Sequence, residues 1–217
     1  MTQSIGPGEP SNPWLEIPPG DYEGHMGSPP VGQLQLLNRL FKRVLTETRP
    51  EAVAVLGCTT GNGFEHFAPT ITQSILGVDI NPSYLQITWE RYPDLQGRLE
   101  LKCADLQTDC FGGRQFDLVH AALVFEYVDA EVVLAHIYRA LKVQGKLSVI
   151  LQMPNRGLPA VSHTPYKSLE KLAPVMHLFE RQQFADLARQ AGFTETKGEM
   201  ITLPSGKEFF YAIYSPG

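Results

Sequence analysis

Short apolar runs alternate along the chain with longer stretches of helical period. Val53-Ala54-Val55-Leu56 is an unbroken apolar run closed by Gly57, as a strand buried on both faces requires. Ile75-Leu76-Gly77-Val78 repeats the pattern and stops at Asp79. Further strands are expected over 99–103, 116–122 and 146–151. Leu34, Leu37, Leu40, Phe41, Val44 and Leu45 recur at helical spacing, so 31–48 reads as a helix that Pro50 ends. A helix is expected after each of the first two strands, up to 69 and from Asn81-Pro82 to 91. Val132, Val133, Ile137, Tyr138 and Leu141 mark an amphipathic helix over 130–142. A last helix over 179–191 stops at Gly192. Strands over 194–203 and 208–214 flank Pro204-Ser205-Gly206-Lys207, a hairpin turn.

This alternation predicts an α/β fold: a Rossmann-like, mostly parallel seven-stranded sheet with helices on both faces and a C-terminal antiparallel hairpin. Two segments break the rhythm. Residues 1–30 are rich in Gly and Pro, which argues against a regular helix or central strand there. The first dozen residues read as disordered. The rest of that segment carries Trp14, Tyr22, His25 and Met26 and reads as a flexible lid lying over the domain. Residues 31–217 read as one domain, with an insertion at about 154–178 punctuated by Pro154, Gly157, Pro159, Pro165 and Pro174.

Composition narrows the partners. The chain has 217 residues, 43% of them hydrophobic, enough for one domain with a real core. Its net charge of -5 gives no general attraction to phosphate backbones, so a nucleic-acid partner is not expected. Cys58, Cys103 and Cys110 form no CxxC pair, which fits a reduced, cytoplasmic setting. The six histidines show no HxH or HExxH spacing, so no metal is expected. No basic, apolar leader and no apolar run of membrane-spanning length is visible, so no membrane partner is expected.

The candidate chemistry lies in Val55-Leu56-Gly57-Cys58-Thr59-Thr60-Gly61-Asn62-Gly63. Gly57 and Gly61 allow a tight turn and a close backbone approach to a ligand. Asn62 and Gly63 would begin a helix whose free N–H groups face the pocket. Gly57, Gly61 and Gly63 do not give the GxGxxG spacing of a dinucleotide site, which argues against a nicotinamide dehydrogenase.

Four blocks together resemble the class I S-adenosylmethionine-dependent methyltransferases of small-molecule type. They are the glycine-rich stretch, Gly77-Val78-Asp79-Ile80-Asn81-Pro82, Cys103-Ala104-Asp105-Leu106, and Phe116–Ala122 with the residues to Asp129. The resemblance implies S-adenosyl-L-methionine as cofactor. It places Gly57, Cys58, Thr59, Gly61 and Asn62 along the cofactor. Asp79 would take the ribose hydroxyls and Ile80 the adenine face. Ala104, Asp105 and Leu106 would meet the adenine edge. Ala121 and Ala122 would offer carbonyls to the methionine amino group. Other roles stay open: a helix cap for Asp79, a loop or cap carboxylate for Asp105, plain packing for Cys58. The chain departs from the family at Val55, where an acidic residue is usual, and at Thr59, where glycine is common.

Methyl transfer is an in-line displacement, helped mainly by alignment and exclusion of water. No catalytic base stands out in the sequence. Tyr22, His25, Met26, Tyr127, His163 and Tyr166 are the candidate substrate contacts, with packing or surface roles as their alternatives. The expected function is methyl transfer to a small molecule. The alternative is a non-catalytic protein of the same fold that binds S-adenosylmethionine or S-adenosylhomocysteine.

Overall fold

The structure is a computed structural model that describes residues 12–108 and 110–217. The expected disorder of the first dozen residues falls almost entirely outside the described residues. The chain runs α1 (Pro19–Gly27), α2 (Gln33–Thr48), β1 (Ala52–Leu56), β2 (Ser74–Asp79), α3 (Pro82–Arg91), β3 (Leu99–Cys103) and β4 (Phe116–Ala122). It continues with α4 (Ala130–Ala140), β5 (Leu141–Gln152), α5 (Arg181–Gln190), β6 (Phe193–Thr202) and β7 (Glu208–Pro216). The seven strands form one sheet in the order β3-β2-β1-β4-β5-β7-β6. Strands β1 to β5 are parallel, and β7 pairs antiparallel with both β5 and β6. This is the expected Rossmann-like sheet with its terminal hairpin.

The period of two along each strand splits the core into two layers. Ala54, Leu56, Leu76, Val78, Val119, Leu147 and Val149 face α4 and α5. Val53, Val55, Ile75, Leu118 and Ile150 face α2 and α3. Each fully buried Val, Leu or Ile among them contributes about 1.5–3 kcal/mol through removal of apolar surface from water. His120, also in β4, is buried, stacks on Phe41 at 4.5 Å and meets Ser148 Oγ at 3.0 Å. Burial pushes its pKa down to about 3, so it packs there as a neutral ring. Among the described residues no helix is long and apolar enough to cross a membrane.

Two expectations are corrected. The N-terminal segment does contain a helix, α1. Pro18 and Pro19 stand where a helix start tolerates proline, and Tyr22, His25 and Met26 share its buried face at helical spacing. Conversely, no α-helix joins β1 to β2. The link is turns and one 3-10 segment, Phe64–His66. Gly61 and Gly63 adopt left-handed φ of 79° and 91°, which stops helix growth, and Phe64 and Phe67 bury as loop anchors. No helix N-terminus therefore starts at Asn62 to face the pocket.

The insertion after β5 folds onto α1. Ser168 donates to Asp21 at 2.6 Å, and Lys171 pairs with Glu16 at 2.7 Å. A side chain at Gly24 would collide with the Tyr166 ring, so glycine lets the two segments touch. On its other flank α1 is tied to α3 by Glu23–Arg91 at 2.6 Å. The N-terminal segment and the insertion together roof the carboxyl edge of the parallel strands.

Candidate functional site

Under that roof lies a cavity lined by the N-terminal segment, the loop after β1, the ends of β2 and β4, and the insertion. Its floor is the carboxyl end of the parallel strands, where open α/β sheets bind ligands.

The Asp79 carboxylate, at the end of β2, is the best-defined group. It is buried and accepts the backbone N–H groups of Thr59 and Asn81, each at 2.9 Å. Burial pushes its pKa up to about 6, against the pull of those amides. Asn81 meanwhile caps α3, its side chain accepting the Ser83 N–H at 2.9 Å. The cap is thus Asn81, which leaves the Asp79 carboxylate on the cavity wall.

The loop after β1 approaches Asp79 with Gly57 and Thr59. Gly57 has φ 59°, and a side chain there would strike Val124 at 2.8 Å. Thr59 has φ 47°, the left-handed region that glycine prefers. The loop therefore keeps the glycine-type backbone at a threonine, whose Oγ1 donates to Tyr22 Oη at 3.3 Å. Ile80, Ala104, Asp105, Leu106 and Val128 form the adjoining wall, and Asp105 Oδ1 is already held by the Gln107 N–H at 2.9 Å. Ala122, Leu123 and Val124 close the end of β4.

The cavity brings together Gly57, Thr59, Asp79, Ile80, Ala104, Asp105, Leu106, Ala122, Tyr22, His25, Met26 and Tyr127. Six other sequence candidates sit elsewhere. Cys58 is buried with its sulfur against Gly77, and burial pushes its thiol pKa up. Gly61 packs beneath Tyr92 and Thr88. Asn62 turns to α2, donating to Leu34 O at 3.0 Å. Ala121 is buried in the sheet and points to the α4 and α5 layer. His163 is exposed and faces Glu170 at 3.7 Å. Tyr166 packs against Gly24 behind the cavity wall. Ala121 misses the cavity because successive residues of a strand face opposite sides of the sheet, and Ala122 takes the inward direction.

The structure adds residues that sequence reasoning missed. Trp14 packs edge-on to Tyr127 at 5.0 Å between ring centres. Asn12, Gln33, Leu37, Gln152, Ala160, Val161, Leu169, Leu172, Met176 and Lys207 complete the lining. Behind this wall Glu126 Oε1 accepts the Gln152 N–H at 2.8 Å, while its Oε2 is buried without a partner. Burial pushes that carboxyl up to about 7. Trp14 carried a signal, as an aromatic side chain in the segment read as a lid; Gln33, at the start of α2, carried none.

The donor set fits a nucleoside ligand. A buried carboxylate with unused lone pairs meets the cavity beside flat apolar walls and a second carboxylate, Asp105. Residues 54–149 match the family described as a methyltransferase domain. An uncharacterized methyltransferase of Schizosaccharomyces pombe is 27% identical over 183 residues, covering 84% of this chain and 68% of that protein. Magnesium protoporphyrin IX methyltransferase from Synechocystis, solved with bound S-adenosylhomocysteine, superposes with a TM-score of 0.66 at 14% identity, covering 86% of this chain and 84% of that one. The [4+2]-cyclase SpnF superposes with a TM-score of 0.67 at 16% identity, covering 84% of this chain and 82% of that one. These likenesses establish the fold that the two proteins share with this chain.

Proposed function

We propose that the chain is an S-adenosylmethionine-dependent methyltransferase of the class I fold and that it methylates a small, largely apolar molecule held under the roof of α1 and the insertion. The observation that carries this reading is the Asp79 carboxylate. It is buried, set by two backbone amides, and open to the cavity at the edge where the chain leaves β1 and β2.

In this reading Asp79 accepts the two ribose hydroxyls, and Ile80 and Leu106 sandwich the adenine. Asp105 accepts from the exocyclic amine. Gly57, Thr59 and Ala122 present backbone groups to the methionine portion. The bound cofactor supplies an electrophilic methyl group on a sulfonium. The chain's own part is alignment and exclusion of water. Trp14, Tyr22, Met26 and Tyr127 provide an apolar cover over the reacting region. No acidic side chain stands at Val55, which packs in the core, so the methionine end relies on main-chain groups.

The second reading is cofactor binding without transfer, favoured by Val55 and by the missing helix after Gly63. Incubation with methyl-labelled S-adenosylmethionine and a fractionated small-molecule extract separates the two. Label in a small product supports transfer. Saturable cofactor binding with no labelled product from any fraction supports the second reading. No cofactor binding at millimolar concentration contradicts both.

A further inference from the structure

The cavity wall furthest from Asp79 carries an ammonium group without a counter-charge. Lys207, in the turn between β6 and β7, is 4% exposed. Its Nζ donates to Ala160 O at 2.7 Å. Among the described residues no carboxylate pairs with it, and burial alone pushes its pKa down to about 8. Burying an ammonium in this way is expensive unless an anion joins it. Lys207 is also the one Lys or Arg among the described residues of the cavity wall.

The groups around it are neutral and tightly placed. His25 Nδ1 lies 2.9 Å from Thr164 Oγ1. Burial and the nearby Lys207 charge hold the His25 pKa below its ordinary value. Gln33 donates to Gln152 Oε1 at 3.2 Å, and Gln152 donates to Ala160 O at 2.9 Å. One positive charge thus stands among uncharged donors, and Leu37, Val161, Leu169, Leu172 and Met176 add apolar lining to the same cavity.

Sheet order sets the distance to the cofactor end. Asp79 closes β2 and Lys207 precedes β7, so β1, β4 and β5 lie between them. Four strand spacings of about 4.8 Å separate the two by roughly 19 Å along the sheet edge. A cofactor whose ribose sits on Asp79 has its methionine portion over β1 and β4. The end at β5 and β7 is left for the second molecule.

We propose that this end of the cavity binds the carboxylate of the methyl acceptor, an apolar monocarboxylic acid, with Lys207 as its counter-charge and Gln33 and His25 beside it. The inference rests on the methyltransferase reading of the cavity. A single ammonium among neutral groups matches a monoanion and leaves half the charge of a phosphate monoester unpaired. Lys207 acts here as a binding residue that selects the acceptor.

The test uses the full chain saturated with S-adenosylhomocysteine and two probes, 4-fluorobenzoate and 4-fluorobenzamide, followed by fluorine NMR titration. The acid is expected to bind at least about tenfold more tightly than the isosteric amide, the scale of one charged contact. Lys207→Met is expected to bring the acid down to the level of the amide while leaving the affinity for S-adenosylhomocysteine within about threefold. Equal binding of acid and amide overturns the proposal, and so does an acid affinity unchanged in Lys207→Met. So does no acid binding to the loaded protein. Loss of S-adenosylhomocysteine affinity in Lys207→Met also overturns it, because the ammonium then holds the cofactor's own carboxylate. Failure of the wild-type protein to bind S-adenosylhomocysteine overturns this inference and the methyltransferase site together. If Lys207→Met does not fold, the wild-type comparison of acid with amide decides alone.

Discussion

The Thr59 amide donates to the Asp79 carboxylate at 2.9 Å, joining the loop after β1 to the end of β2. That bond explains two features at once. It requires the loop to turn back on itself, which places Thr59 in the left-handed region at φ 47°. It also fixes one carboxylate oxygen, so that the group enters the cavity in a single orientation.

The cofactor affinity is predicted to depend on pH through Asp79. Its folded pKa is raised to about 6, and the ribose contact needs the ionised form. Affinity for S-adenosylhomocysteine should be constant above pH 7 and fall as pH drops through about 6, by at most about tenfold per unit. Asp79→Asn should bind weakly and without this pH dependence. Titration calorimetry between pH 5 and 8 checks both, and a flat wild-type profile would argue against the contact.

Gly57 and Thr59 should respond in opposite ways. Gly57→Ala puts a methyl group against Val124 in left-handed backbone, which costs about 1–2 kcal/mol before any clash is counted. It should lower both melting temperature and cofactor affinity. Thr59→Gly relieves a similar strain but loses the Tyr22 contact and gains chain entropy in the unfolded state. Its stability should stay within about 1 kcal/mol of the parent, with cofactor binding kept. Severe loss of binding in Thr59→Gly would show that the threonine side chain is itself needed.

Glu126 sets a stability window. Its folded pKa is raised from 4.5 to about 7 by burial, so the native state holds a proton that the unfolded state releases. Stability from this group is therefore present below pH 4.5 and is lost as pH rises through about 7. Glu126→Gln mimics the protonated form. It should melt higher than the wild type at pH 8, with the difference shrinking towards pH 4. A difference that stays constant across this range would contradict the assigned cost of the buried charge.

Much of this fold is legible in the sequence because parallel strands need apolar side chains on both faces. Val53–Leu56 and Ile75–Val78 are short apolar runs closed by a turn residue or a carboxylate, as such strands require, and Asp79 gains its place by ending one of them. The failures have local causes. Proline and glycine obscured α1, although Tyr22, His25 and Met26 already carried its spacing. The helix expected from Asn62 and Gly63 is forbidden by the left-handed Gly61 and Gly63. In the site, the pattern places backbone turns correctly but cannot say which residue of a pair turns inward, so Ala121 and Ala122 are both candidates and only Ala122 lines the cavity. Lys207 was invisible for a different reason. A lysine in a Pro-Ser-Gly-Lys turn reads as a solvent group until the insertion folds over it.

The most direct test of the whole account is a calorimetric titration of S-adenosylhomocysteine into the wild-type protein and into Asp79→Ala. The account predicts saturable one-site binding that weakens by about 1–3 kcal/mol in the variant, as a buried diol loses its charged acceptor. Equal affinity in the two proteins, or no binding by the wild type, would contradict it.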